Sequence, residues 1–343
     1  MTIVPKAALG RNLSYTELLT APNTGLFVAL HLGDPVRVHL RRTTDRGYIE
    51  TKDAPPLADP DWIYVSLAHL RESLRVIESE TVDLVRMNTG VLMLRTVNSV
   101  FDTELRVYTV ARVHSGFKAH TPGAEQQRVD TLWLSGLNVK PFTLTMPPVV
   151  EGSQIILATA GGTLVWETAI DPALPSSPRA SFLQVLAEAG PGEFILTEGG
   201  YYVVEVDGMV FTIAGHGSEY PLPVPVVLGA VRQTEIQADR LVHALTSALA
   251  LAGDGATITL APRHGLVTRN QYNQPVRFGL GEMDPFLPFD LSLRSAKLIA
   301  EALKQAEGED ATLYRQPGAG DRFMITKGNV RIQVQGGPSS LQV

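Results

Sequence analysis

The sequence predicts an α+β chain built from one recurring unit, a short amphipathic helix followed by several short strands. Three observations carry that reading. The unit can be traced repeatedly along the chain, as fixed-period repeats demand. Two stretches mixing Pro, Gly and polar residues, 115–125 and 220–233, break the chain into thirds. At 343 residues the chain exceeds one ordinary core, at roughly 100 to 200 residues per domain. The expected domains are 1–118, 119–230 and 231–343, each holding two units.

In the first unit, residues 14–19 read as a short helix ended by Pro22, followed by strands at 26–32, 36–43 and 47–51. The second is clearer. Ser66-Leu67 opens a helix whose Leu67, Leu70, Leu74 and Ile77 fall on one face. Strands follow at 82–86, 91–96 and 105–110, with Asn88-Thr89-Gly90 as a turn. The third unit, 130–170, has strands at 143–146, 154–159 and 164–170, and around 134–139 barely one turn of helix. The fourth places a helix at 179–189, stopped by Gly190-Pro191, then strands at 193–197, 201–206 and 209–214 with a hairpin turn at Asp207-Gly208. The fifth has Leu241, Leu245, Ala248 and Ala252 on one face of a helix at 239–252, then strands at 256–260, 265–269 and 275–280. In the sixth, Ser292-Leu293 opens a helix with Leu293, Ala296, Ala300 and Leu303, 226 residues after the four matching positions of the second unit. Its strands are 311–315, 322–326 and 330–334. The run Pro221-Leu222-Pro223-Val224-Pro225 is extended and unsuited to a sheet interior.

Composition excludes several classes of function. With 44% hydrophobic and 19% charged residues the chain folds rather than staying disordered. It has no Cys, so a disulfide framework, a thiolate metal site and a cysteine nucleophile are ruled out. The first 19 residues do not read as a secretion signal, and no run of about 18 apolar residues occurs. No membrane association and a cytoplasmic location are therefore expected. A net charge of −6 argues against a protein that coats nucleic acid with a basic surface, though not against a basic strip on an acidic body.

Catalytic patterns are equally sparse. His216 and His264 stand beside glycines, where turn histidines are commoner than bases. There is no His pair at i, i+4, no Gly-x-Ser-x-Gly elbow and no Walker sequence. Gly190-Pro191-Gly192 follows a helix and precedes a strand, the reverse of a phosphate-cradling loop, and Gly318-Ala319-Gly320-Asp321 reads as a hairpin connection. Asp59 and Asp61 flank Pro60 and offer metal ligands, with an ordinary turn as the simpler explanation. Trp62, Trp133 and Trp166 lie in strand-like patterns and read as packing residues. A non-enzymatic chain without cofactor is expected.

Residues 61–110 and 290–335, together with Tyr220-Pro221 after the strand at 209–214, give the chain a resemblance to the bacterial-type DNA sliding clamp, the beta subunit of the replicative polymerase. The resemblance implies the DNA clamp fold, three domains of two modules each, and a homodimeric ring of twelve modules whose helices line a central hole. It implies sequence-independent contact with double-stranded DNA, and tethering of a DNA polymerase, with a clamp loader as a further partner. In a virus-encoded protein the compartment would be the host cytoplasm. Residues off the apolar helix faces become DNA-facing candidates: Arg71, Arg75, Arg240, His243, Arg294, Lys297 and Lys304. Cations opposite an apolar stripe are also simply a solvated face. The family binds partner peptides in an apolar pocket, for which Tyr220, Pro221, Pro225, Val227, Ile332 and Val334 are the candidates. Here the sequence departs from the family, whose chain ends in a Met-Pro element where this one continues Gly336-Gly337-Pro338. The rival readings are a structural or assembly protein, such as a virion component, and a hydrolase whose site is assembled from distant residues.

Overall fold

The computed structural model describes residues 2–18, 27–34, 37–44, 47–56, 59, 61–87, 90–97, 102–110, 122–134, 136–174, 177–190, 192–215, 230–253, 255–316 and 322–339. Along the first third run β1 (Thr2–Pro5), α1 (Lys6–Leu18), β2 (Phe27–Asp34), β3 (Arg37–Thr43), β4 (Gly47–Thr51), β5 (Trp62–Ser66), α2 (Leu67–Val76), β6 (Thr81–Met87), β7 (Val91–Thr96) and β8 (Glu104–Val110). Next come β9 (Glu125–Asp130), β10 (Val149–Glu151), β11 (Gln154–Thr159), β12 (Gly162–Glu167), α3 (Ala180–Ala189), β13 (Glu193–Thr197), β14 (Tyr201–Val206) and β15 (Met209–Ala214). The last stretch holds β16 (Val231–Gln237), α4 (Ala238–Leu251), β17 (Thr257–Ala261), β18 (Gly265–Arg269), β19 (Pro275–Phe278), β20 (Phe289–Ser292), α5 (Leu293–Gln305), β21 (Asp310–Gln316), β22 (Arg322–Lys327) and β23 (Val330–Pro338). No described helix is long and apolar enough to cross a membrane.

The residues form two compact units, 1–131 with 184–215 and 132–183 with 216–343. In the first, one antiparallel sheet runs β1-β6-β7-β8-β5-β2-β3-β4-β15-β14-β13-β9. In the second, the sheet runs β10-β11-β12-β23-β20-β17-β18-β19, with β16-β21-β22 joined through β23. The order β1-β6-β7-β8-β5-β2-β3-β4 therefore recurs as β16-β21-β22-β23-β20-β17-β18-β19. A repeated topology with two helices per copy is what the matched apolar positions of α2 and α5 foreshadow.

Local chemistry explains why the repeats begin where they do. Ser66 and Ser292 cap α2 and α5, their hydroxyls accepting from the backbone N–H of His69 and Ser295. Leu67, Leu70 and Leu74 of α2 are buried, as are Ala296, Ala300 and Leu303 of α5 and Leu241, Leu245 and Ala248 of α4. On the sheet of the first unit, Leu40 and Arg42 lie on the face opposite His39 and Arg41 because strand side chains alternate. Trp62, Tyr64 and Ala29 pack together, with the Arg41 guanidinium 4.8 Å from the Trp62 ring and its Nε 2.9 Å from Glu50.

Both sheets contain a second kind of junction. β4 pairs antiparallel with β15, placing Ile49 opposite Phe211, and β12 pairs with β23, placing Leu164 opposite Ile332. β4 is the fourth strand of the first copy and β23 the last strand of the second, each joined to a strand of the intervening stretch. The topologically matching strands β19 and β8 lack such a partner among the described residues: β19 pairs only with β18, and Glu104–Tyr108 only with β7.

The structure differs from the sequence expectation in several places. The first helix spans Lys6–Leu18 rather than 14–19, because Gly10, Arg11 and Asn12 interrupt the apolar pattern while Leu9, Leu13 and Thr16 still bury one face. The expected strand at 143–146 reduces to an isolated bridge between Leu144 and Thr159, ahead of Pro147-Pro148, which have no N–H to donate. Trp133 sits in a 3-10 turn at Thr131–Leu134 and not in a strand, although it is buried, as are Trp62 and Trp166. Most of the link at 115–125, the tripeptide's Asn88-Thr89, His216, Pro60 and Gly318-Ala319-Gly320-Asp321 fall outside the described residues, as does 220–229 of the second link.

Candidate nucleic-acid interface

In the second unit α4 and α5 pack against each other and expose one charged flank each. On α5, Arg294, Lys297 and Lys304 are exposed at spacings of three and seven, which puts them on one face of the helix. Lys304 is tied to Glu301 at 2.9 Å, so the stripe carries an internal counter-charge. On α4, Arg240 and His243 are both exposed. The Arg240 guanidinium lies over Gly281, whose φ of +89° and lack of a side chain leave room for it.

The N-terminal end of α5 is locked in place. Ser295 donates its hydroxyl to the Gly161 carbonyl at 2.8 Å, and the Gly161 backbone approaches Arg294 so closely that a side chain there would meet the Arg294 carbonyl. Beside this contact opens a cavity of about 350 Å³ lined by Pro141, Phe142, Thr159, Gly161, Arg294 and Leu298. Lys297 also borders it, so two of the expected DNA-facing cations stand on the wall of a partly apolar hollow.

In the first unit the helical layer is more open. Between α1 and α2 lies a groove of about 930 Å³ lined by Ala7, Gly10, Ser14, Leu74 and, at its rim, Lys6, Arg71 and Arg75. Arg71 is half-buried and bonded to Glu17 of α1, Arg75 is exposed, and Lys6 donates to the Ile77 carbonyl at the end of α2. Lys6 and Arg11 are cations that sequence reading missed, because the helix carrying them was read as starting at residue 14. The helix-forming run Lys6-Ala7-Ala8-Leu9 directly after Pro5 was the available signal.

The peptide-pocket candidates separate. Ile332 and Val334 are buried in β23, with Val334 beside Gly162 of β12. Tyr220, Pro221, Pro225 and Val227 lie outside the described residues.

His31, Asp59 and Asp61 place ligand atoms within 4.8 Å of one another. His31 Nδ1 accepts the Gly33 backbone N–H at 3.1 Å, which assigns the ring proton to Nε2, 3.2 Å from Asp59. A metal at Nε2 would have to displace that proton while Nδ1 stays occupied as an acceptor. The donor set therefore fits a hydrogen-bonded turn better than a metal centre. The Asp59 carboxyl is held below its usual range by the Asp61 backbone N–H and by His31.

No family model matches the sequence, and no curated protein matches it. Solved structures do. A putative DNA polymerase III beta subunit from Eubacterium rectale superposes with a TM-score of 0.66 at 12% identity, over 97% of this chain and 98% of that one. The beta sliding clamp of C. crescentus gives 0.64 at 13% identity, over 99% of each chain. The DNA polymerase III subunit beta of Pseudomonas aeruginosa gives 0.63 at 13% identity, over 98% and 99%. The fold is that of the sliding clamps, across essentially the whole chain.

Proposed function

We propose that the chain is a DNA sliding clamp: a non-enzymatic homodimeric ring that encircles duplex DNA without sequence preference and tethers a polymerase. Within that reading the domains are 1–118, 119–230 and 231–343, and the exposed cations of α2, α4 and α5 face the DNA. Few and exposed cations suit sliding, since each phosphate contact adds affinity and salt dependence without sequence information.

The observation that carries the proposal is that β19 and residues 104–108 of β8 are, among the described residues, paired on one side only where the matching strands β4 and β23 are paired on both. Within the chain, the fourth strand of the first copy, β4, joins β15, and the last strand of the second, β23, joins β12; taking β9–β15 as a middle repeat, each junction pairs a fourth strand with a last one. β19 and β8 are the remaining strands of those two kinds. Joining β19 of one copy to β8 of a second, and the reverse, uses up both edges and closes a two-chain ring. Unpaired edges otherwise invite open-ended association.

The ladders inside the chain support one register for that junction. Val276 faces Thr268 as Ile49 faces Arg42, and Leu105 faces Leu94 as Ile332 faces Ile325. In the ring Val276 then opposes Leu105 on the side toward the helices, and Arg277 opposes Glu104 on the outer side. An apolar pair on the buried face and an opposite-charge pair on the wet face favour this register over its one-residue slips.

The test is topological. The protein is threaded onto linear duplex, both ends are then blocked, and retention is measured before and after restriction cleavage. Retention that depends on blocked ends and vanishes on cleavage is expected. The triple variant Arg71→Glu, Arg294→Glu, Lys297→Glu should lose retention while its dimer mass is unchanged. Binding indifferent to DNA ends would overturn the proposal.

A further inference from the structure

We infer that Tyr108 of one copy seats against the hollow beside the β18–β19 turn of a second copy, so that each ring junction contains an aromatic contact made only between chains. This rests on the ring reading and extends it to a specific surface. Tyr108 is 69% exposed, although strand aromatics usually find cover. It lies on the outer side of β8 with Glu104 and Arg106, alternating with Leu105 and the buried Val107. Across β7 its neighbour is Val91.

The two junctions inside the chain show what that position needs for folding. Counting from the hairpins, Tyr108 corresponds to Ala214 on β15 and to Gln335 on β23. Neither is aromatic. The tyrosine stands at the junction strand that has no such partner among the described residues.

The receiving surface is present as well. In the register derived above Arg106 faces Pro275, and Tyr108, two residues on, faces Asn273. Next to Asn273 opens a polar hollow of about 700 Å³ lined by Thr257, Thr259, Arg269, Asn270, Asn273 and Pro275. Thr259 pairs with Val267 and Arg269 with Pro275, so the hollow lies on the outer side, the side Tyr108 occupies on β8. The turn is already ordered: Asn270 Oδ1 accepts from the backbone N–H of Tyr272 and Gln274, and Asn273 holds φ +62°. Arg269 is fixed by its bond to the Asn273 carbonyl at 3.0 Å, which presents a flat guanidinium on which a phenol ring can stack while its hydroxyl reaches the threonines. Tyr272, 73% exposed at the tip of the same turn, borders the contact.

The absence of native cysteine makes the test clean. Facing residues of an antiparallel pair have Cα atoms about 4.5 to 5.5 Å apart, inside the range a disulfide spans. A Tyr108→Cys chain mixed with an Asn273→Cys chain should form a covalent dimer on oxidation, as should a Glu104→Cys and Arg277→Cys control pair. Tyr108→Ala should raise the dimer dissociation constant at least tenfold and Tyr108→Phe should restore most of it, with folding of both checked by circular dichroism. If the control pair links, the 108/273 pair does not, and Tyr108→Ala dimerises normally, the inference is overturned and the ring reading stands. If the unaltered protein is monomeric, the ring reading fails and takes the inference with it.

Discussion

Reversing one charge across the proposed ring junction, by Glu104→Arg, should weaken the proposed dimer by an amount that the geometry bounds. Glu104 sits on an exposed strand edge, bonded within its own chain to Arg95 at 2.9 Å with half its side chain in solvent. Arg277 is exposed on β19. A facing pair in this setting is worth about 0.2 to 1 kcal/mol, and like charges directly opposed cost a similar amount. Reversal therefore costs about 1 kcal/mol per junction. A closed two-chain ring has two identical junctions, so the total is about 2 kcal/mol, roughly a 30-fold rise in the dissociation constant. Arg277→Glu alone should act likewise, and the double reversal should recover most of the loss. Sedimentation velocity at low and high salt reads both effects, and high salt should shrink them. Unchanged dimerisation in both single variants, or a double variant weaker than either, would refute the register.

Two further variants probe the fold. Arg42 is 2% exposed with no partner for Nε or Nη1, and burial lowers its pKa from the ordinary arginine value to about 10. That corresponds to about 3 kcal/mol against the charged form, so Arg42→Leu should stabilise the chain at neutral pH in urea denaturation, and destabilisation would contradict the reading. Because the folded-state pKa is the depressed one, the unfolded state holds more protons above about pH 10, and the penalty on the unaltered protein eases as pH rises through about 10. Ser295→Ala removes the donor to the Gly161 carbonyl and should cost about 1 to 3 kcal/mol in the same assay; a neutral result would show that water or another group satisfies that oxygen.

Much of the architecture is legible in the sequence because helix signals there are redundant. Ser66 and Ser292 each precede an apolar face at helical spacing, so α2 and α5 begin within a residue of expectation. Hairpin turns such as Asp207-Gly208 state their own positions, with Asp207 at φ +49°. Short strands that enter each helix, such as β1, β9, β16 and β20, have four to seven residues and too little alternation to stand out. α1 is obscured because Gly10 and Arg11 break its apolar period. The candidate interface is only partly legible. Periodicity puts Arg294, Lys297 and Lys304 off the core face, but it cannot show that Glu17 ties Arg71 or that Arg294 borders a cavity, since those contacts join residues distant in sequence. That β19 and residues 104–108 of β8 are paired on one side only among the described residues emerges only when all strand pairings are known together.

The most direct test of the clamp reading is solution mass by light scattering together with an image of the particle. The account predicts a dimer of the 37.1 kDa chain forming a closed annulus whose hole admits duplex DNA. A monomer, or an open fibre of copies joined edge to edge, would contradict it.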